Sequence, residues 1–295
     1  MNWFWPTTWI GERGGWWRLI VTLGLYTIGV VLGMLLYTQA NISGLKAATL
    51  NQPPHVREIV ALIATMVVTG CGLAGCLAGV RFVHRKPIAC VFTDGRPFGM
   101  ALAMQSAALW ALLWLAFTLP LPHAWERLIQ RTQEIPRSWW PIIVVVTAAA
   151  MTVGRATEEI VFRGYLLPRI AAWVKRPWLA VCIVALVFNA IHQGNLAAHT
   201  AITLVGVAWG ASCIRAGTLA PAIGAHVAHD AMNCLLQPGE GNASATWLEA
   251  ILIAIALAIW WGWLLWVTRA KSNNSLGQTS EAEPEPNPGP TSPAT

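Results

Sequence analysis

Eight apolar runs constrain this chain more than any other feature of it. They lie at 17–40, 59–82, 98–122, 139–166, 178–191, 197–214, 219–236 and 247–267. A helix needs about 20 apolar residues to cross a hydrocarbon core of roughly 30 Å. Within that core each backbone N–H and C=O must be paired inside the protein, which leaves helices or closed barrels, and runs of this length read as helices. The pattern predicts an all-α integral membrane protein, a polytopic helical bundle of about eight transmembrane helices. The fifth run is short and gains span length only by taking in polar residues such as His192. Composition agrees, since 56% of residues are hydrophobic and 11% charged, against roughly 25% charged in a soluble domain.

Tryptophans such as Trp16, Trp17, Trp139, Trp140, Trp178, Trp247, Trp263 and Trp266 sit at run ends, where an amphipathic ring favours the headgroup level. Basic residues cluster before the first run and after the second, fourth, sixth and eighth, including Arg81, Arg85, Lys86, Lys175, Arg176 and Arg215. Because Lys and Arg are retained on the cytoplasmic side, both termini are expected there, in a multi-pass protein of the plasma (inner) membrane. The segment 123–137 runs against this, with Arg127, Arg131 and Arg137 on the expected outer side, partly offset by Glu126 and Glu134. No cleavable leader is evident, so the first span is expected to serve as an uncleaved insertion signal. The chain divides into a cytoplasmic segment at 1–18, amino-terminal spans at 19–144, a core at 145–236, a last loop and span at 237–271, and a Pro-, Ser- and Glu-rich tail at 272–295. That tail is expected to be disordered and cytoplasmic.

The net charge of +6 is spread over membrane edges and forms no dense run with interleaved aromatics, so nucleic acid is not the expected partner. The six cysteines contain no C-x-x-C pair, which argues against a disulfide framework or a structural zinc site. The lipid bilayer is the partner that composition leads one to expect.

Ionisable groups at membrane depth cost several kcal/mol on simulation estimates, or roughly 3 on insertion scales, and usually mark function. Three groups stand out. The first is Glu158-Glu159-Ile-Val-Phe-Arg163-Gly164. Four residues apart on a helix, Glu159 and Arg163 face one another and form a favourable ion pair. Glu158 is turned about 140° from Arg163 and is left free to act as a base. Standing alone, E-E-x-x-x-R is equally a charge cluster ending a span. The second is Phe188-Asn-Ala-Ile-His192, where a lone histidine is otherwise a hydrogen-bonding packing residue. The third is the run from Pro221 through His226, His229, Asp230 and Asn233. Spacings of three, four and seven put these four polar side chains within an arc of about 100° on one helix. They line either a wet cavity or a polar packing seam. Three clusters on three helices together supply a base, imidazoles and a further carboxylate or amide, which is a hydrolytic set.

The order E-E-x-x-x-R-G, F-x-x-x-H and H-x-x-x-D/N resembles the CPBP family of intramembrane proteases, also called the Abi or type II CAAX prenyl protease family. The resemblance covers roughly 145–236 and rests on Glu158, Glu159, Arg163 and Gly164, on Phe188 and His192, and on His226 and Asp230. It implies a helical-bundle endopeptidase in which Glu158 activates water, Glu159 and Arg163 support it, His192 orients water or substrate, and His226 with Asp230 serves the oxyanion side. The family's third motif commonly ends in asparagine, whose amide can donate a hydrogen bond, whereas an ionised Asp230 can only accept. Protonation of Asp230, a role orienting a histidine, or an amide supplied by Asn233 would each answer this. His229 and Asn233 form a second register of the same motif, and the first is preferred because of the position of Pro221.

Two matters stay open at this level. With the fourth helix ending near Leu166, Glu158 lies roughly 10 Å from the cytoplasmic end, and His226 at a similar depth. His192 lies roughly 20 Å in if its helix begins near Trp178, so a tilt, a break or a later helix start is required. Glu158, His192 and His226 could also bind zinc, as a carboxylate and two imidazoles with a position left for water. The same residues serve equally as a metal-free glutamate base with hydrogen-bond donors, the version favoured here. A proton-coupled transporter and a catalytically silent scaffold are the competing functions. Neither the substrate nor any need for prenylation is written in these residues.

Overall fold

The computed structural model describes residues 15–40, 51–94, 98–236 and 245–279. Among them are nine helices and no strand. We label these α1 (Trp16–Ala40), α2 (Pro54–Ala78, continued by a π-helical turn at Gly79–Val83), α3 (Met100–Thr118), α4 (Pro122–Glu134) and α5 (Trp140–Glu159, a π-helical segment Ile160–Leu166, then Leu167–Val174). There follow α6 (Pro177–Ala190), α7 (Leu196–Ala216), α8 (Ala220–Leu236) and α9 (Trp247–Thr279). Each of the eight apolar runs falls in a helix. Six helices are long and apolar enough to cross a membrane, while α6 is shorter and α8 has 17 residues. The molecule is an all-α polytopic membrane bundle, with six long spans and two shorter helices, α6 and α8, where about eight transmembrane helices were expected with only the fifth run short.

Helix α8 lies at the centre, packed on α3, α5 and α7. Small residues let it approach closely. A Cβ at Gly224 would run into the Ala103 carbonyl oxygen of α3, so glycine allows the two backbones to touch. The α1–α2 hairpin closes in the same way, through Gly29 and Gly33 against Val68, Cys71 and Gly72.

Helix α5 departs most from expectation. Instead of ending near Leu166 it runs on to Val174, and the whole segment from Arg137 forms one long span candidate. Pro168 has no N–H to give to the carbonyl four residues back, and the π-helical turn just before it accommodates that missing bond. Lys175, at a φ of 54°, ends the helix, and α6 starts at Pro177 in the reverse direction. The hairpin is in register, since Phe162 meets Phe188 ring to ring at 5.2 Å. Glu158 precedes Phe162 by four residues and His192 follows Phe188 by four. The two are therefore about equally far from the turn, which removes the depth mismatch expected for His192. The cause is the length of α5, which had been taken as too short. His192 itself lies beyond the end of α6, in the turn that leads to α7.

Segment 123–137, expected to be a loop, is mostly helix α4. Proline is tolerated in its first turn, and its inner face carries Ala124 and Arg131, with Ile135 buried just beyond. Arg131 turns inward and pairs with Glu58 on α2. One of the three arginines that ran against the charge rule is thus neutralised inside the protein, by a partner other than the Glu126 and Glu134 expected to offset it. Helix α9 extends beyond residue 272 to Thr279, so the backbone continues helical into the tail expected to be disordered. Helix propagation adds a bond for each residue fixed, which favours such continuation. The rest of the tail and residues 1–14 of the amino-terminal segment lie outside the described residues.

A short strap closes one side. After a 3₁₀ turn at Ile88–Val91, the Phe92 carbonyl accepts from Leu219 N at 2.9 Å and the Gly217 carbonyl from Asp94 N at 3.0 Å. The Val91 carbonyl lies where a side chain on residue 164 would be.

Candidate active site

Helix α5 supplies two adjacent carboxylates that face different ways. Glu159 is fully buried, and its Oε1 accepts from Arg163 Nη1 at 3.0 Å and from His226 Nδ1 at 2.7 Å. The i,i+4 pair expected from sequence is therefore present, and it holds a histidine of α8 as well. His226 is wedged against the Trp209 ring of α7, centroid to centroid 4.3 Å, with the planes inclined by 34°. The Arg163 guanidinium lies over the Phe188 ring at 4.3 Å, a cation–π contact that gains strength where water is excluded.

Glu158 was expected to be free. Instead its Oε1 accepts from Arg155 Nη1, three residues earlier on the same helix. Among the described residues its Oε2 has no hydrogen-bond partner, and it lies 3.7 Å from His226 Nε2. Asp230 Oδ2 lies 3.7 Å from the same His226 nitrogen and 2.5 Å from Arg155 Nε. Three carboxylates, two guanidiniums and the His226 imidazole thus form a single cluster between α5 and α8, with His229 Nε2 at its edge, 3.9 Å from Asp230 Oδ1. Glu159 and Arg163 seal its inner half, and Glu158, Asp230 and Arg155 retain about a fifth to a quarter of their exposure.

His192 approaches through Phe188. Its ring centroid is 4.5 Å from the Phe188 ring, which is 6.1 Å from that of His226. Its Nδ1 is 2.7 Å from the Phe188 carbonyl. A carbonyl only accepts, so Nδ1 carries the proton and Nε2 of the neutral ring is left as an acceptor.

The structure separates the two registers of the third motif. His226 meets both α5 carboxylates, and Asp230 meets the α5 guanidinium of Arg155. His229 packs edge-on to Trp110 at 6.0 Å, and Asn233 Oδ1 accepts from Trp114 Nε1 at 3.0 Å, both on α3. Among the described residues, no three His, Cys, Asp or Glu side chains are grouped so as to hold a metal ion. The trio Glu158, His192 and His226 does not fit one as it stands.

Sequence reasoning missed Arg155 and Trp209. The i,i+3 spacing of Arg155 to Glu158 was a usable signal. Trp209 offered none, because one tryptophan in an apolar helix looks like any other packing residue.

Comparison with known proteins bears directly on this cluster. Residues 135–232 match the family model described as type II CAAX prenyl endopeptidase Rce1-like. Among curated proteins, the uncharacterized protein YyaK of Bacillus subtilis (strain 168) is 24% identical over 229 residues, covering 73% of this chain and 75% of YyaK. No solved structure matches. The matched segment contains every member of the α5–α8 cluster together with His192, and over it the chain is similar to that family model, a match consistent with the CPBP family of membrane proteases that its three motifs resemble.

Proposed function

We propose that the chain hydrolyses peptide bonds in a membrane-associated peptide or protein, with Glu158 as the base that activates water. The observation that carries this reading is the triangle of Glu158 Oε2, His226 Nε2 and Asp230 Oδ2, in which the histidine nitrogen lies 3.7 Å from each oxygen. A water bonded at normal length to two atoms that far apart subtends an angle of about 80°, which its lone pairs and protons can span. Such a water sits at the unpartnered oxygen of Glu158.

The charges support the rest of the chemistry. Glu158, Glu159 and Asp230 against Arg155 and Arg163 leave the cluster one positive charge short, and a buried uncompensated charge is strongly disfavoured. One proton held on His226 closes the balance, with Glu159 stabilising the resulting imidazolium through Nδ1. Nε2–H then donates to the oxyanion that forms as water adds to the scissile carbonyl. Glu158 takes the proton of the attacking water and passes it to the departing amine. His192, an acceptor at Nε2, orients the water, and Asp230 holds the outer side of His226. A prenyl group on the substrate is not needed for any of these steps.

The test uses the purified full chain in detergent and a fluorogenic membrane peptide. Glu158→Ala and His226→Ala are expected to abolish cleavage while the protein stays folded. Full activity in either variant sinks the assignment. Mass spectrometry of membrane peptides that accumulate in a Glu158→Ala strain then identifies the substrate.

A further inference from the structure

Arg155 belongs to none of the three motifs, yet it touches both carboxylates on the open side of the cluster. Its Nη1 donates to Glu158 Oε1 and its Nε lies 2.5 Å from Asp230 Oδ2, so one guanidinium joins α5 to α8. Arg163 cannot take this place, because it is committed to Glu159 on the sealed side. We propose that Arg155 is a positioning residue for hydrolysis, a clamp that keeps Glu158 ionised with Oε2 turned to the reactants while balancing the charge of Asp230. The proposal rests on the reading of Glu158 as the base.

The need for such a clamp follows from the geometry. Glu158 Oε2 and Asp230 Oδ2 both lie 3.7 Å from His226 Nε2, and a single positive charge on that ring does not offset two carboxylates, so a second cation is needed beside them. Without Arg155 the two carboxylates would share His226 alone as their cation, and a Glu158 Oε2 that holds a proton cannot accept another from water. Arg155 also fixes the direction of the base. By occupying Oε1 it leaves Oε2 as the oxygen that faces His226. The guanidinium fork reaches two carboxylates at once, whereas an ammonium offers one compact charge.

Charge balance gives a test that plain loss of structure does not reproduce. The full chain is assayed in detergent on the same fluorogenic peptide, with wild type and Glu158→Ala as references. Arg155→Gln is expected to lower kcat about 100-fold with KM nearly unchanged, the scale of effect for a misplaced catalytic group. Arg155→Gln combined with Asp230→Asn removes one charge of each sign and is expected to recover to within about tenfold of wild type, as coupled neighbours do. Arg155→Lys should fall between. Wild-type kcat in Arg155→Gln, or a folded double variant no more active than Glu158→Ala, overturns the clamp. Should Arg155→Gln fail to fold, the double variant and Arg155→Lys still decide the matter against those same references. Absence of cleavage by the wild type overturns the proteolytic reading itself, and the clamp with it.

Discussion

A single oxygen, Oε1 of Glu159, accepts from both Arg163 and His226, while Oε1 of its neighbour Glu158 is held by Arg155. The two carboxylates differ by one position in sequence and by about 100° around the helix, and that rotation separates a sealed role from an open one. Removing the sealed carboxylate strands Arg163, which is fully buried. Glu159→Ala is therefore expected to destabilise the protein by about 3–5 kcal/mol, the scale for breaking a buried pair. Unfolding in detergent measures this, and a loss under about 1 kcal/mol contradicts it. At this scale the pair Glu159–Arg163 was legible from helical periodicity, whereas periodicity puts His229 and Asn233 on the same face as His226 and Asp230, and only the position of Pro221 favoured the register that the α5 side chains meet. The loss of freedom at Glu158 was not foreseen. Its partner is an arginine one turn earlier, which sequence patterns treat as part of the span edge.

Among the elements, α5 and the strap that covers it depend on one another. The Val91 carbonyl occupies the space beside Gly164 in the π-helical segment, so a methyl group there must push the strap or the helix away. Gly164→Ala is expected to lower stability by roughly 1–3 kcal/mol, as overpacking does. It should also free the strap, which proteolytic nicking near residues 88–94 would detect. An unchanged unfolding profile and nicking pattern argues against this coupling. Helix α5 shows where sequence reading stops at this scale. A proline such as Pro168 normally marks a helix end, and here a change of helical pitch absorbs it instead. Helix α4 was missed for the opposite reason. Its polar outer face and its charges read as a loop, and only the inward turn of Arg131 towards Glu58 reveals the buried side.

For the whole molecule, hydrophobic length located every helix of the bundle except α4, because lipid permits few alternatives. It did not give the order in which helices touch. That α8 is central, against α3, α5 and α7, follows from small residues such as Gly224 whose partners lie far away in sequence. The site arises from this arrangement, with one carboxylate-bearing helix beside a histidine-bearing one and a second histidine delivered by a hairpin.

That hairpin acts as a ruler whose zero mark is the turn at Lys175. Glu158 and His192 stand level because each arm carries nearly the same number of residues, so the match in height between base and imidazole is stored as a count, independent of what the residues are. Four residues added to α6 ahead of Phe188 alone would carry His192 roughly 6 Å past the level of Glu158, and cleavage should be lost. Four added at once to α5 behind Phe162 should restore the match and return measurable cleavage. A chain built this way can change how far its outer arms reach while keeping its chemistry aligned, provided that both arms change together.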